Sequence, residues 1–210
     1  TRKITKSPMI KAIYFDLGGV IVRTEDKTPR AQLAAEFGLT YDEMDNVVFG
    51  GGSGGSAARA STGALTEEAH WVSVTRRLGL PLDQRPRLQE QFFAGDKIDW
   101  NIVDFLREAR KTYKVGLISN AWDGLRPWIR QQKFEDAFDH LTISAEVRIA
   151  KPLPGIYHHA LDALGVRPEE AVFVDDFSEN IDACCKLGMK GVFFRSAEQA
   201  LADVKSLLNG

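Results

Sequence analysis

Short apolar runs alternate with longer amphipathic stretches along most of the chain. The runs are Ala12–Phe15, Lys114–Ser119, His140–Ser144, Ala171–Val174 and Gly191–Phe194. Runs this short are typical of strands buried on both faces of a parallel sheet. The stretches between them place apolar residues on one helical face, as in residues 99–111, and those at 154–164 and 178–187 each end at a glycine. The pattern therefore predicts an α/β fold with a parallel sheet and helical crossovers.

Residues 24–96 differ from the rest, because they contain no convincing strand signal. Thr40 and Glu43 have the spacing of a capping box, and Thr66 precedes two acidic residues that favour a helix start. The glycine-rich segment Gly50–Ser56 predicts a flexible loop, and it lacks the preceding strand and the following lysine of a phosphate-binding loop. The sequence predicts that residues 24–96, the helical insert, form an all-helical segment after the first strand.

Composition and charge narrow the class of protein. The chain has 210 residues, of which 44% are hydrophobic and 27% charged, and its net charge is −2. Such values are typical of a globular protein with a sizeable core. A nucleic-acid or membrane-surface binder would show a basic excess, so we expect no nucleic acid and no membrane among the partners. No apolar run approaches the roughly 18–20 residues that span a bilayer.

The two cysteines, Cys184 and Cys185, are adjacent, so they favour neither a zinc site nor a disulfide. We interpret them as small apolar residues of a helix, and a reducing cytoplasmic location fits them. The four histidines show no metal-ligand spacing. Met9 is a candidate native start, which would make residues 1–8 an added tail; the basic segment before Met9 is followed by no apolar core of a secretory signal.

Polar side chains stand at or soon after the ends of four predicted strands. They are Asp16, Ser119, Asn120, Lys151, Asp175 and Asp176. Each of these residues, taken alone, is also an ordinary turn or helix-cap residue. The carboxyl ends of neighbouring parallel strands lie at one edge of a sheet, where ligands of open α/β folds bind. Because the polar residues follow four strands in this way, we expect them to converge on one site.

Three carboxylates in one place repel each other, and burial strengthens the repulsion. A hard cation offsets it, and oxygen ligands without histidine or cysteine suit Mg²⁺. A lysine together with hydroxyl and amide donors describes a phosphate site, and a carboxylate facing the phosphate can attack it as a nucleophile. The chemistry of these residues therefore predicts a magnesium-assisted phosphate site.

The sequence resembles the haloacid dehalogenase (HAD) superfamily of aspartate-nucleophile hydrolases. FDLGGV resembles its first motif, LISNA the second, AKP the third and VFVDD the fourth. The resemblance covers residues 9–23 and 97–210, for which it implies a HAD-like Rossmann-type core. The helical insert stands in the place of the helical (C1-type) cap of the phosphatase-like branch, so it is expected to cover and select the substrate.

The resemblance also implies roles for individual residues. Asp16 would be the nucleophile that becomes an aspartyl-phosphate, and Lys151 would assist it. Ser119, Asn120 and Lys151 would hold the phosphoryl group. The magnesium ligands would be Asp16, the backbone carbonyl of Gly18, Asp175 and Asp176. Asn180, four residues after Asp176, is a candidate to orient Lys151 or a carboxylate, and Trp122 is a candidate pocket wall or packing residue.

Gly18 departs from the pattern of the family. Most phosphatases of the superfamily carry a second aspartate there, which is the general acid and base, and such a group contributes roughly 10²–10⁴ in rate. Glycine retains the carbonyl for the metal but not the carboxyl. Glu25, Asp26 and Asp123 are the acids close enough in sequence to be considered as substitutes. The enzyme therefore uses another acid, accepts only good leaving groups, or binds without efficient turnover.

The best prediction is a cytoplasmic, Mg²⁺-dependent phosphatase of a small phosphorylated metabolite, as a monomer or a homodimer. One alternative is a metal-free 2-haloacid dehalogenase, to which residues 119–123 are similar. It is disfavoured by Asp175 and Asp176, because an anionic substrate without a metal should not meet two further carboxylates. The other alternative is a catalytically weak binding protein of the same fold.

Overall fold

The computed structural model describes residues 9–209, so the tail at residues 1–8 lies outside the described residues. The strands in this range are β1 (Ala12–Phe15), β2 (Val22–Thr24), β3 (Asp96–Ile98), β4 (Lys114–Ser119), β5 (His140–Ile143), β6 (Ala171–Asp175) and β7 (Lys190–Phe193). The helices are α1 (Thr28–Glu36), α2 (Tyr41–Phe49), α3 (Ser56–Ser61), α4 (Glu67–Arg77), α5 (Arg85–Phe93), α6 (Trp100–Ala109), α7 (Leu125–Gln131), α8 (Ser144–Val147), α9 (Pro154–Leu164), α10 (Ser178–Lys186) and α11 (Ala197–Leu208). No helix among residues 9–209 has the length and apolarity needed to cross a bilayer.

Five strands form one parallel sheet in the order β5-β4-β1-β6-β7. The first strand is central, so Phe15 is level with Leu117 of β4 on one side and with Val174 of β6 on the other. Strand order runs outward from β1 in both directions, and ligands of such sheets bind beyond the carboxyl ends at that switch point. The predicted α/β fold with a parallel sheet is confirmed.

The alternation of side chains along β1 explains the two layers of helices. Ile13 and Phe15 belong to the hydrophobic cluster under α6, α7 and α11, whereas Ala12 and Tyr14 belong to the cluster under α9 and α10. All four residues are fully buried. Neighbouring positions of a strand point to opposite faces, so a continuous apolar run is what a doubly covered strand requires.

The predicted bounds of three strands are wrong by one residue. β5 ends at Ile143 because Ser144 begins the short helix α8, β6 continues to Asp175, and β7 lies one residue earlier at both ends, from Lys190 to Phe193. Hydrophobicity marks the middle of a strand better than its ends, since the ends also carry the polar residues of turns and sites.

A two-stranded antiparallel sheet lies at the ends of the helical insert. It pairs Val22 with Ile98 and Thr24 with Asp96. The sequence analysis did not predict it, because strands of three residues with charged members carry no clear periodic signal. Thr24 and Asp96 also share a side-chain hydrogen bond of 2.6 Å, so the chain enters and leaves the insert at one point.

The helices α1–α5 lie between β2 and β3, and α1, α2, α4 and α5 enclose a hydrophobic cluster of their own. It comprises Leu33, Ala34, Met44, Val48, Trp71, Val74, Leu88 and Phe92. The capping box at the start of α2 is confirmed: the Glu43 amide donates to Thr40 Oγ1 at 3.2 Å, and the Thr40 amide donates to Glu43 Oε2 at 2.8 Å. The glycine-rich segment contains a short 3₁₀ turn at Gly52–Gly54 and leads into α3.

Trp122 joins the helical insert to the loop after β4. Its ring centroid lies 4.3 Å from that of His70 and 5.8 Å from that of Phe49. His70 is fully buried, with Nδ1 2.9 Å from Ser56 Oγ. Of the two roles considered for Trp122, these contacts favour packing between the insert and the sheet.

Candidate active site

Asp16 stands directly after β1, where the register places it beside the end of β6. Its amide donates to the carbonyl of Val174 at 2.9 Å, which continues the pairing of the strands by one residue. Its side-chain Oδ1 accepts a hydrogen bond of 2.7 Å from the amide of Leu17. Asp16 is only 7% exposed, so the central strand holds a carboxylate at the bottom of the site rather than in solvent.

Lys151 lies between two of the predicted carboxylates. Its Nζ is 2.9 Å from Asp16 Oδ1 and 2.6 Å from Asp175 Oδ2, and its side chain is 1% exposed. A buried ammonium this close to two carboxylates stabilises their charged forms. The net charge of this triad is −1, so the carboxylates are only partly compensated.

Asn120 positions the backbone of Lys151. Its side-chain amide donates to the Lys151 carbonyl at 3.0 Å, and its Oδ1 accepts from the Lys151 amide at 2.8 Å. This pair of bonds ties the loop after β4 to the loop that carries the lysine. Ser119, the last residue of β4, is 3% exposed and is level with Ile143 of β5. The structure thus brings all three residues predicted to hold phosphate to the same edge of the sheet.

Asp175 is fully buried and surrounded by donors. Oδ1 accepts from the Phe177 amide at 2.8 Å, both oxygens lie 3.0 Å from Asn180 Nδ2, and Oδ2 pairs with Lys151. The expectation that Asn180 orients a carboxylate is met by this geometry. The Asn180 carbonyl in turn accepts from the Tyr157 hydroxyl at 3.0 Å. These contacts make Asp175 the counter-ion of Lys151, and its role as a metal ligand stays a prediction.

Asp176 completes a cluster of acids. Oxygen atoms of Asp16, Asp175 and Asp176 all lie within 4.8 Å of one another. Asp176 Oδ1 is buried without a hydrogen-bond partner among the described residues. An unpartnered buried carboxylate oxygen is costly, and a cation would satisfy it. The donor set consists of oxygen atoms, which suits Mg²⁺. The residues present therefore fit the predicted ion.

Burial and mutual repulsion raise the pKa values of two carboxylates of the cluster, Asp16 and Asp176. The pKa of Asp16 is raised to about 6, chiefly by burial; the charge of Lys151 opposes the shift and that of Asp175 adds to it. Burial, followed by the charge of Asp175, also raises the pKa of Asp176. A divalent cation bound here would favour the charged forms of both carboxylates and so oppose both shifts.

Of the two successive glycines that come soon after Asp16, only Gly19 is required by its surroundings. Gly19 has φ +78°, and a Cβ built there would collide with the carboxylate of Asp176. Glycine is therefore required at 19, both for the backbone and for the approach to the acid cluster. At Gly18, a Cβ would meet no atom within 4 Å, so a side chain has room there. The sequence analysis missed the role of Gly19, although the pair of glycines was the available signal.

Ser144 is a second residue that sequence reasoning missed. Its Oγ accepts from the amide of Ala121 at 3.0 Å and lies 3.2 Å from the carbonyl of the same residue. It therefore holds the loop after β4 from the neighbouring strand. A serine at the end of an apolar run looks like any helix cap, so a single sequence carries no signal for this role.

Glu25 and Asp26, two of the acids considered as substitutes for the general acid missing at Gly18, have their partners outside the acid cluster. Glu25 pairs with the Arg23 guanidinium at 3.2 Å. Asp26 Oδ1 accepts from the Thr28 amide at 2.9 Å, and hydrogen bonds from Thr28 hold the pKa of Asp26 below its usual range. Asp26 is thus held as the anion, which is the wrong protonation state for a proton donor, and Glu25 has its partner outside the acid cluster.

Asp123, the third substitute, connects the loop after β4 to the insert. Its Oδ1 accepts from the Glu67 amide at 2.8 Å, at the first residue of α4. The carboxylate of Glu67 in turn faces the backbone of Gly124. Burial and the nearby charge of Asp123 raise the pKa of Glu67. Asp123 is thus held as an acceptor at the junction of insert and sheet.

The fold and the acid cluster agree with a comparison against known families. The model of the haloacid dehalogenase-like hydrolase family matches residues 10–188, so this chain belongs to that family of hydrolases. The predicted resemblance and the assignment to a class of enzyme are thereby confirmed.

Curated relatives of this chain carry phosphatase and hydrolase names. It is 28% identical over 189 residues to D-ribitol-5-phosphate phosphatase of Bacteroides thetaiotaomicron, an alignment that covers 87% of this chain and 90% of that protein. It is also 28% identical over 215 residues to bifunctional epoxide hydrolase 2 of Sus scrofa. That alignment covers 94% of this chain but 39% of the longer protein, so the similarity spans well under half of it.

A solved structure with the same fold is a HAD-family enzyme of Bacteroides thetaiotaomicron, in complex with magnesium and inorganic phosphate. The two chains superpose with a TM-score of 0.76 at 22% identity, over 90% of this chain and 96% of the other. The similarity extends beyond the sheet to the helical insert, because it covers nearly the whole of both chains.

Proposed function

We propose that this hydrolase is a Mg²⁺-dependent phosphatase of small phosphorylated metabolites that works through an aspartyl-phosphate on Asp16. The observation that carries the proposal is the arrangement of the buried Asp16 and Lys151 beside the half-buried Asp176 at the carboxyl end of the central strand. The phosphatase names of relatives that align over most of this chain support the same chemistry.

Asp16 is the nucleophile of this mechanism. One carboxylate oxygen attacks phosphorus while the bond to the leaving oxygen breaks, and water later cleaves the aspartyl-phosphate. The hydrogen bond from the Leu17 amide and the ion pair with Lys151 fix the orientation of the carboxylate before the substrate arrives. Such positioning is a large part of catalysis of phosphoryl transfer, in which little covalent work falls to the protein.

Lys151, Ser119 and Asn120 act on the phosphoryl group. The ammonium of Lys151 is buried, so its attraction for phosphoryl oxygens is screened little by water. Asn120 keeps the lysine backbone in place through its two hydrogen bonds. Asp175 and Asn180 hold the lysine from the other side, which leaves its charge at a fixed position beside the nucleophile.

Asp16, Asp176 and the carbonyl of Gly18 would hold Mg²⁺, with Asp175 next to them. When bound, the ion neutralises phosphate charge and lowers the pKa of the carboxylates around it. Support comes from the unpartnered oxygen of Asp176 and from the structural relative that was solved with magnesium and phosphate. We further propose that the enzyme acts in a reducing cytoplasm, where Cys184 and Cys185 remain free, as they are in this fold.

A metal-free dehalogenase fits these residues less well. Three carboxylates within 4.8 Å of one another would repel the carboxylate of a 2-haloacid, and Lys151 supplies a single compensating charge. A phosphate monoester brings its own metal-binding oxygens, so the acid cluster favours the phosphatase.

Hydrolysis of 4-nitrophenyl phosphate tests the proposal, because its leaving group departs without much help. We expect turnover with Mg²⁺, loss of turnover with EDTA, and loss of turnover in Asp16→Asn. The control is Asp83→Asn, which removes an exposed carboxylate of the insert. Absence of Mg²⁺-dependent turnover in the wild type would overturn the proposal and leave a binding protein, or a dehalogenase to be assayed with a 2-haloacid.

A further inference from the structure

We propose that the natural substrates are phosphate esters or anhydrides with acidic leaving groups, because none of the charged side chains that the structure describes at the site is free to protonate a departing alkoxide. The inference rests on the proposed function and narrows its substrate class. It follows from how the charged side chains of the site are engaged.

The charged residues at the site all have other partners or roles. Lys151 is shared between two carboxylates, and Asp175 accepts from Lys151, Asn180 and the Phe177 amide. Asp16 is the attacking group. Asp176 is the carboxylate with an oxygen left for the metal. None of these groups can hold a proton for the leaving oxygen while it performs its other task.

The acids near the site in sequence do not supply the proton either. Glu25, Asp26 and Asp123 each accept a hydrogen bond from a group on the insert or its connecting strands. For Asp26, the hydrogen bonds from Thr28 also lower the pKa and so stabilise the anion. The raised pKa of Glu67 makes it the acid most easily protonated at the junction with the insert, and its carboxylate faces Gly124. Glu67 is therefore included in the test.

Gly18 stands where most phosphatases of the superfamily carry an acid, and no steric constraint explains the glycine. It stands two residues after the nucleophile, and a Cβ there would meet nothing within 4 Å, in contrast to Gly19. The fold therefore does not require glycine at 18. Because Gly18 has no side chain, there is open space beside the site. The leaving group receives no proton from this position and therefore departs as an anion.

The two steps differ in their need for an acid. In the first, a bond forms between Asp16 and phosphorus, the bond from phosphorus to the leaving oxygen breaks, and the leaving group departs with the electron pair and takes a proton from solvent. In the second, water attacks phosphorus and loses a proton to solvent, and the Asp16 carboxylate departs. A carboxylate is a good leaving group, so only the first step depends on the acidity of the substrate's leaving group.

The test compares kcat/KM for 4-nitrophenyl, phenyl and ethyl phosphate, whose leaving groups become less acidic in that order. The ratio kcat/KM reports the first chemical step and is not limited by a slow second step. We expect the wild type to lose activity steeply along the series. Gly18→Asp should raise kcat/KM for ethyl phosphate by about 10²–10⁴ and that for 4-nitrophenyl phosphate by less than about tenfold.

Gly18→Asn is the matched control, because it fills the same space without an ionisable proton, and it should not rescue ethyl phosphate. Glu67→Gln and Asp123→Asn should leave the dependence on the leaving group unchanged. Similar wild-type kcat/KM for ethyl and 4-nitrophenyl phosphate would overturn the inference, as would equal behaviour of Gly18→Asp and Gly18→Asn. If the Gly18 variants fail to fold, the wild-type series alone decides between the inference and its alternative. If no substrate is hydrolysed in an Asp16-dependent way, the proposed function itself fails.

Discussion

Lys151 connects the stability of the protein with its proposed activity. Its ammonium lies 2.9 Å from Asp16 and 2.6 Å from Asp175, and all three side chains are nearly inaccessible to solvent. Removing one member of a buried ion pair is far more costly than the net stabilisation by the pair, because the remaining charge stays buried without compensation. The lysine is therefore needed both for the chemistry and for the folded state.

We expect Lys151→Met to lower the free energy of unfolding by about 3–5 kcal/mol at pH 7. The loss should shrink as the pH falls. Burial already raises the pKa of Asp16 to about 6, and Lys151 opposes that shift. Without the ammonium, the pKa of Asp16 rises further above its value in the unfolded chain, so the folded variant binds protons more tightly and gains stability as the pH falls. Urea unfolding at pH 7 and pH 5 measures both effects. Lys186→Met, at an exposed position of α10, should change the free energy by no more than about 0.5 kcal/mol, and an equal loss in both variants would contradict this account.

The glycine pair offers a second test on single residues. Gly19→Ala should weaken Mg²⁺ binding, because its Cβ would meet the carboxylate of Asp176 and its backbone has a positive φ. Gly18→Ala should leave Mg²⁺ binding intact, since it retains the carbonyl and its Cβ has room. Titration calorimetry of the two variants compares them directly. Equal Mg²⁺ affinity in Gly19→Ala and the wild type would show that Mg²⁺ binding does not need the close approach of the Gly19 backbone to the carboxylate of Asp176.

Secondary-structure elements differ in how far the sequence determines them. The apolar runs of the central strands predicted β1 and β4 in full, because burial on both faces requires continuous hydrophobicity. The strands β2 and β3 escaped prediction, because their stability depends on contacts such as Thr24 with Asp96 that are distant in sequence. The polar residues at the ends of the predicted strands also indicated which side chains come together at the edge of the sheet, such as Asp16, Lys151 and Asp175. The hydrogen bonds of Ser144 and the collision that excludes a side chain at Gly19 could not be predicted, since both depend on three-dimensional approach.

His70 in α4 makes the junction of the helical insert with the sheet sensitive to acid. It is fully buried against Trp122, and burial lowers its pKa to about 4. The unfolded chain, with an ordinary histidine pKa of about 6.5, binds this proton more readily. The contribution of His70 to stability is therefore complete above pH 6.5 and is lost as the pH falls toward 4.

We expect His70→Gln, which stays neutral, to unfold with a weaker pH dependence than the wild type between pH 6.5 and 4. Urea unfolding at several pH values in this window is the measurement. His158→Gln, an exposed histidine of α9, is the control and should retain the wild-type slope. Identical slopes in His70→Gln and the wild type would mean that His70 is not held neutral by burial.

At the scale of the whole molecule, the sheet brings together residues from four separate motifs, and the insert is joined to the same edge through Trp122 and Asp123. Mg²⁺ should therefore stabilise the entire fold, because it would bind an acid cluster that exists only in the folded state. A ligand at a hundred times its Kd adds about 2.7 kcal/mol to the free energy of unfolding.

Thermal unfolding with and without Mg²⁺ tests this expectation independently of activity. The Tm of the wild type should rise with Mg²⁺ concentration, and that of Asp176→Asn should rise much less, because the variant lacks one charged ligand. Asp182→Asn, an exposed position of α10, should respond like the wild type. An equal rise in Asp176→Asn would place the ion elsewhere.

The most direct test of the central claim is to trap the phosphorylated enzyme. The wild type is mixed with 4-nitrophenyl phosphate and Mg²⁺, quenched in acid within the first turnover, and digested for mass spectrometry. We expect the peptide that contains Asp16 to gain the mass of one phosphoryl group, and the same peptide of Asp16→Asn to gain none. Turnover without any phosphorylated Asp16 peptide, or the same gain in mass in Asp16→Asn, would contradict the assignment of Asp16 as the nucleophile.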